Sequence, residues 1–232
     1  MKVLITGASG SIGGECLNQC LAHPSISTVV AFVRRDLPAA VSGHPKLECV
    51  RVKDFSQWPE DVLEAHADAA GMIWAMGSYK GSRTADYEYP VAFMEGMARV
   101  LATRPARPRF RYAHLGGMFT CSDQDKTLCF LDYPRKIRGL AEAKAVEFAE
   151  SHEDVWRAFV VRPGGVATES ITGSRAVASM LGDNWCVMIE HLGTFMTYLA
   201  LEAEEESPII ENTRIARKGR ELLKSQRSML VS

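Results

Sequence analysis

Thr6-Gly7-Ala8-Ser9-Gly10-Ser11-Ile12-Gly13 follows directly on the apolar run Val3-Leu4-Ile5. Three aliphatic residues in a row suit a buried strand, and Gly7 lets the chain turn sharply at its end. Gly10 lets a pyrophosphate approach the main chain, and Gly13 lets the next helix pack close to the sheet. The free N–H groups and positive dipole end of that helix then face the phosphates. Glycine-rich turns after strands also occur as ordinary loops, so context has to decide. An amphipathic helix from Ile12 to about Ala22 follows, and then the apolar stretch Thr28 to Val33. The βαβ unit closes in roughly thirty residues, the length such a unit needs. The expected ligand is a dinucleotide, met by Gly7, Ser9, Gly10, Ser11 and Ile12.

Periodicity extends the pattern along the chain. Leu47 to Val52 and Ala70 to Ala75 read as strands three and four, Phe110 to Leu115 as the fifth and Trp156 to Val161 as the sixth. Between them, Asp86 to Thr103 places Tyr87, Val91, Met94, Met97 and Leu101 at helical spacing, and a further helix is expected from about Leu140 to Ser151. Strands alternating with helices give an α/β fold, a doubly wound parallel (Rossmann) sheet with right-handed crossovers. Helical patterns around Ala176 to Leu181, Val187 to Ala203 and Ile215 to Gln226 follow the sixth strand. This small, mainly helical C-terminal region is placed to close over a ligand as a lid and to bind substrate.

At 232 residues the chain suits one domain, 1–232, with 164–232 contributing the substrate side. A net charge of -1 offers no electrostatic case for nucleic acid or an anionic membrane. No stretch reaches the roughly 20 apolar residues of a membrane span. The six cysteines form no CxxC pair and no charged leader precedes an apolar signal core, so the expected compartment is the reducing cytoplasm. Cys16 and Cys20, one helical turn apart, are expected to be buried thiols and not metal ligands. The expected partner is a small-molecule substrate, and a homodimer is left open.

Arg34 and Arg35 stand at the end of the second strand, where an enzyme using NAD usually places an acid for the adenine ribose hydroxyls. Guanidinium groups suit a 2′-phosphate, so NADP(H) is the expected cofactor. Asp36 follows and argues the other way. Asp54, past the third strand, has two readings: acceptor for the adenine amino group, or turn former.

The TGxxGxxG spacing from Thr6 to Gly13, the two arginines, Ala75-Met76-Gly77 and Val161-Arg162-Pro163-Gly164 together resemble the short-chain dehydrogenase/reductase superfamily, in its extended and atypical branches. The resemblance covers nearly the whole chain. It implies that Ala75, Met76, Gly77 and Pro163 also contact the cofactor. It further implies a serine after the fifth strand to polarise a carbonyl, a tyrosine to exchange its proton, and a lysine four residues on to hold the ribose and favour phenolate.

This chain departs from that pattern. Ile137, not lysine, lies four residues after Tyr133, with Lys136 and Arg138 on either side. Tyr133 and Lys136 form the candidate catalytic pair. An alignment through Gly139 and Glu142-Ala143-Lys144 instead puts Arg138 in the lysine place and Pro134 in the tyrosine place. Tyr133 then has three open roles: displaced acid/base, ligand contact, or packing residue. The fifth strand ends His114-Leu115-Gly116-Gly117-Met118, without the expected serine; His114 has two readings, substitute acid/base or core residue, and His191 is a candidate lining of the same cleft. Met118, Phe119, Phe130, Trp185, Met188, Phe195 and Met196 have two readings, apolar pocket or core. The reading is an NADP(H)-dependent oxidoreductase moving hydride to or from a small apolar carbonyl or alcohol. The alternatives are an isomerase, epimerase or cyclase retaining the cofactor, and a cofactor-sensing regulator.

Overall fold

The computed structural model describes residues 1–105, 107–168 and 173–231, with side chains described to residue 228. In chain order the elements are β1 (Lys2–Thr6), α1 (Ser11–Ala22), β2 (Thr28–Val33), α2 (Ala39–Ser42), β3 (Leu47–Arg51), α3 (Glu60–Ala65) and β4 (Gly71–Trp74). A π-helical turn, Thr84–Glu88, then leads into α4 (Tyr89–Ala102), β5 (Phe110–Leu115), α5 (Asp132–Ser151) and β6 (Trp156–Arg162). β7 (Gly165–Ala167), α6 (Ser174–Leu181), β8 (Cys186–Met188), α7 (Ile189–Leu201), β9 (Ile209–Glu211) and α8 (Asn212–Val231) complete the chain.

Seven strands form one parallel sheet in the order β3-β2-β1-β4-β5-β6-β9. Successive side chains of a strand point to opposite faces, and β1 shows what that does. Val3 and Ile5 enter a core shared with α1, α7 and α8, which includes Leu17, Phe195, Leu199 and Ile215. Leu4 enters the opposite core with Phe32, Trp74, Phe93, Tyr112 and Phe148. Both faces are covered, as an internal parallel sheet requires. The order reverses between β1 and β4, so the crevice for a ligand opens at the carboxyl ends of those two strands.

The first five strands and α1 lie where periodicity puts them, to within a residue at each end. α5 starts at Asp132, eight residues before the expected Leu140. Pro134 is tolerated because it lies in the first turn, where its missing N–H has no helical partner anyway. Gly139 sits where a methyl would collide with the Cys121 backbone, so it marks a close approach and not a break.

The C-terminal region departs further from expectation. α7 is no lid: Leu192, Phe195, Met196, Leu199 and Ala200 are fully buried against α1 and the sheet. A methyl on Gly193 would stand 2.8 Å from Glu15 Cγ, which shows how closely α7 crosses α1. Cys16 and Cys20 are buried thiols, Cys20 lying 3.4 Å from the Thr197 hydroxyl, and burial pushes its thiol up to about 12. Met188, Phe195 and Met196 are core residues. Strands β7 and β8 pair with each other in a small second sheet, and β9 extends the main sheet beside β6. Each has only three residues, too few for a period-2 signal. Among the described residues no helix is long and apolar enough to cross a membrane.

Candidate functional site

The turn between β1 and α1 is held by contacts that only glycine permits. Gly7 has φ +74, and a methyl there would lie 2.5 Å from the Ala75 carbonyl carbon and oxygen, on the strand-end loop next door. On Gly13 a methyl would collide with the Gly7 carbonyl oxygen. Gly10 is different, since its methyl would meet only that same oxygen, at 3.3 Å, and the residue is exposed. No side chain caps the helix that begins at Ser11, so its first N–H groups are available to an anion.

A cleft of about 550 Å³ opens beside this turn. Gly7, Ser9 and Gly10 form one wall, Ala75, Met76 and Gly77 another, and Arg34, Arg35 and Asp36 the rim. Arg34 and Arg35 are exposed and take part in no ion pair or hydrogen bond among the described residues. Asp36 is engaged with Arg51 at 2.8 Å. Asp54 is not among the residues lining this cleft, and its carboxylate accepts the Ser56 N–H at 2.9 Å and hydroxyl at 2.7 Å, which holds it below the usual carboxylate range. This is the turn-forming role, and Phe55 lines the cleft in its stead. Ser11 opens onto a neighbouring hollow with Glu15 and Gln19, Ile12 packs against the core, and Pro163 is buried with its carbonyl accepting the Met118 N–H at 3.0 Å.

Beyond Gly77 the loop is organised by Asp86, a buried acid that sequence reading passed over. Its carboxylate accepts the Ser78 N–H at 2.7 Å and the Ser82 N–H at 2.6 Å. Arg138 reaches the same loop, donating to the Ser78 carbonyl at 2.6 Å with its Nε 3.9 Å from Asp86. Lys136 is turned elsewhere and pairs with Asp132 at 3.1 Å. Tyr133 is 53% exposed at the start of α5, beside the same loop: a methyl on Gly81 would lie 3.1 Å from its Cδ1.

The expected serine position is filled differently. Glu142, 1% exposed, runs under the end of β5, where it accepts from Arg162 at 2.8 Å and from the Thr120 hydroxyl at 2.7 Å. Gly116 is required there because a methyl would collide with that carboxylate. Burial raises the Glu142 carboxyl, and the Arg162 charge and Thr120 pull it back. Arg162 also bonds Glu211 at 3.2 Å, so one ion cluster ties α5, β6 and β9 together. The Glu142 position, in Gly139-Leu140-Ala141-Glu142, shows only its charge in the sequence.

His114 lies 3.2 Å from the Tyr112 hydroxyl, and burial, then the Arg138 charge, pushes its imidazole down to about 4. It is therefore neutral at physiological pH and poorly suited to exchange protons there. An unfolded histidine protonates near 6.5, so acid favours the unfolded chain: this stability is present above 6.5 and lost as pH falls toward about 4. We expect wild type to lose about 2 kcal/mol more than His114→Gln between pH 7.5 and 5, measured by urea midpoints. Equal losses would reject a neutral buried His114. His191 lines a separate pocket with Asp183 and Arg220.

The sheet order is that of a Rossmann-type α/β fold, with the cleft at the carboxyl ends of its strands, and the solved structures similar to this chain share that fold. No protein-family model matches the chain. It is similar to "Protein fmp52-1, mitochondrial" of Aspergillus oryzae, 26% identical over 164 residues. That match takes in 70% of this chain and 65% of the relative, so the chain spans under two thirds of that protein's length. The dTDP-glucose 4,6-dehydratase of Bacillus anthracis in complex with NAD superposes with TM-score 0.63 at 12% identity, over 97% of this chain and 81% of that one. The NADPH-dependent 3-quinuclidinone reductase of Rhodotorula rubra gives TM-score 0.59 at 14% identity, over 91% and 90%. Nicotinamide dinucleotides are thus the ligands named for relatives of this fold, with both NAD and NADPH represented.

Proposed function

We propose that the chain is an NADP(H)-dependent oxidoreductase acting on a small apolar carbonyl compound or alcohol. The observation that carries this is the pair Arg34 and Arg35, uncommitted on the rim of the cleft that the glycine turn lines, while the competing Asp36 is engaged by Arg51. The cradle fits the group: an uncapped helix start and Gly10 accept a pyrophosphate, and two guanidinium groups accept a 2′-phosphate. When bound, NADP(H) supplies or takes the hydride. The chain's part is to orient both reactants and handle the proton. Arg138, held beside Gly77 by Ser78 and Asp86, is better placed than Lys136 for the cationic role at the ribose. Tyr133 is the candidate proton donor, and residues 164–232 contribute to the substrate side. Six unpaired cysteines support a reducing compartment, which we take to be the cytoplasm, although the fmp52-1 relative is named as mitochondrial.

Absorbance of the reduced nicotinamide, followed with a panel of ketones, aldehydes and quinones, tests the reading. Steady consumption of NADPH is the expected result, and Tyr133→Phe should lower it about a hundredfold or more with the melting temperature unchanged. Unchanged turnover in that variant would assign the proton to water. A second reading, an isomerase, epimerase or cyclase that keeps its cofactor, is favoured by Pro134 in the tyrosine place. Tight NADPH binding without consumption, together with conversion of a substrate, would select it.

A further inference from the structure

Three aromatic side chains on separate segments meet at the carboxyl end of the sheet and stay half open to solvent. Phe119, Phe130 and Trp185 are 49%, 49% and 56% exposed. Phe119 and Trp185 are tilted by 32° with centroids 6.5 Å apart, near the long limit of roughly 7 Å for ring contact, and Phe119 meets Phe130 edge to face at 6.0 Å. The cluster is fixed from α5. Arg135 donates from Nε to the Phe119 carbonyl at 2.5 Å and from Nη1 to the Phe130 carbonyl at 3.2 Å, while its guanidinium lies 4.5 Å from the Phe130 ring centroid. One side chain thus holds two loop segments and covers one ring, leaving Phe119 and Trp185 as the open pair.

The cluster lies where β5 and β6 terminate, at the carboxyl ends of the strands and so on the same side of the sheet as the cleft. Met118 donates to the Pro163 carbonyl, and a methyl on Gly164 would collide with the Trp185 carbonyl oxygen and lie 2.9 Å from Met118 Cε, so these segments touch through Gly164. Polar contacts that hold apolar rings open to water at the carboxyl ends of the strands suit a binding slot, since the rings' burial is then completed by the ligand.

We infer that Phe119 and Trp185 form a slot for a planar aromatic group, so that the preferred substrates are carbonyl compounds, or the matching alcohols, that carry an aromatic ring. This rests on the carbonyl-binding reading above and narrows it. A ring pair stacks on a planar group more favourably than on a puckered one of equal carbon count, by about 0.5–1.5 kcal/mol for each aromatic contact.

The test uses the full chain with saturating NADP⁺ and two probes of one carbon skeleton, 2-acetylnaphthalene and 2-acetyldecalin, with affinity measured by calorimetry. Emission adds a signal that Trp185→Phe assigns, since Trp185 is the exposed one of the four tryptophans, Trp58 is half-buried, and Trp74 and Trp156 are buried. The expected result is about tenfold tighter binding of the naphthyl ketone with quenching of Trp185, a preference that Phe119→Ala removes while NADP⁺ affinity stays within about twofold. Trp185→Phe keeps most of the preference and loses the emission change. Equal affinities in wild type, or a preference that survives Phe119→Ala, overturns the slot. The two proposals fail separately. Preferential binding without NADPH consumption keeps the slot and removes the reductase, whereas consumption of both ketones without preference does the reverse.

Discussion

Alanine at both Arg34 and Arg35 is expected to weaken NADPH binding about a hundredfold and NADH binding less than about threefold. The two cofactors differ only in the 2′-phosphate, so the difference isolates what meets that group. Charge-assisted hydrogen bonds contribute roughly 1.5–3 kcal/mol each, and exposed arginines on a rim belong at the lower end of that range. Two such contacts total about 3 kcal/mol, or about two decades in affinity. Screening adds a second signature, because wild-type selectivity for NADPH should fall as salt rises and the double variant's should not. Equilibrium dialysis of both cofactors at two salt concentrations reads both effects. A loss equal for NADH and NADPH would falsify the 2′-phosphate assignment and leave the arginines as general supports of the cleft. Asp36 is the internal check: with its carboxylate on Arg51 at 2.8 Å, Asp36→Asn should not change selectivity by itself.

The glycine turn and the cleft beside it are legible in the sequence because their determinants are local. Gly7, Gly10 and Gly13 lie within seven residues, Arg34 and Arg35 are adjacent, and each answers a steric or charge demand that residue type alone reveals. The region from Ser78 to Arg162 is less legible because it depends on contacts between distant segments. Arg138 and Ser78 are sixty positions apart, and Glu142 meets Arg162 twenty positions away. Lys136 has the residue type for the ribose role, yet the helix turns it toward Asp132. Asp54 likewise has the right chemistry for adenine and uses it on Ser56. The error over α7 has another origin. Its helical period was visible, but a segment following the sixth strand was assumed to lie over the ligand, whereas its apolar residues are so numerous that it completes the core beside α1.

Glycines in the β1–α1 turn separate folding from binding, and two single substitutions should show it. Gly13→Ala puts a methyl against the Gly7 carbonyl oxygen, and backbone on both sides leaves neither group a soft way to yield. α1 must then move off the turn while Cys16, Leu17 and Cys20 hold it in the core. Overpacking of this kind costs about 3 kcal/mol, so the melting temperature should fall by about 6–12 °C, with both cofactors bound at least a hundredfold more weakly. Gly10→Ala meets nothing nearer than 3.3 Å in the protein. Its melting temperature should stay within about 2 °C of wild type, since the only cost is a mild contact at an exposed helix cap. Cofactor affinity should nevertheless fall by about tenfold or more, equally for NADPH and NADH, because the methyl then occupies the path of the shared pyrophosphate and not of the 2′-phosphate. Calorimetric melting paired with dialysis distinguishes the cases. If Gly10→Ala binds both cofactors as wild type does, the phosphates do not lie on this turn, and the uncapped start of α1 serves another ligand.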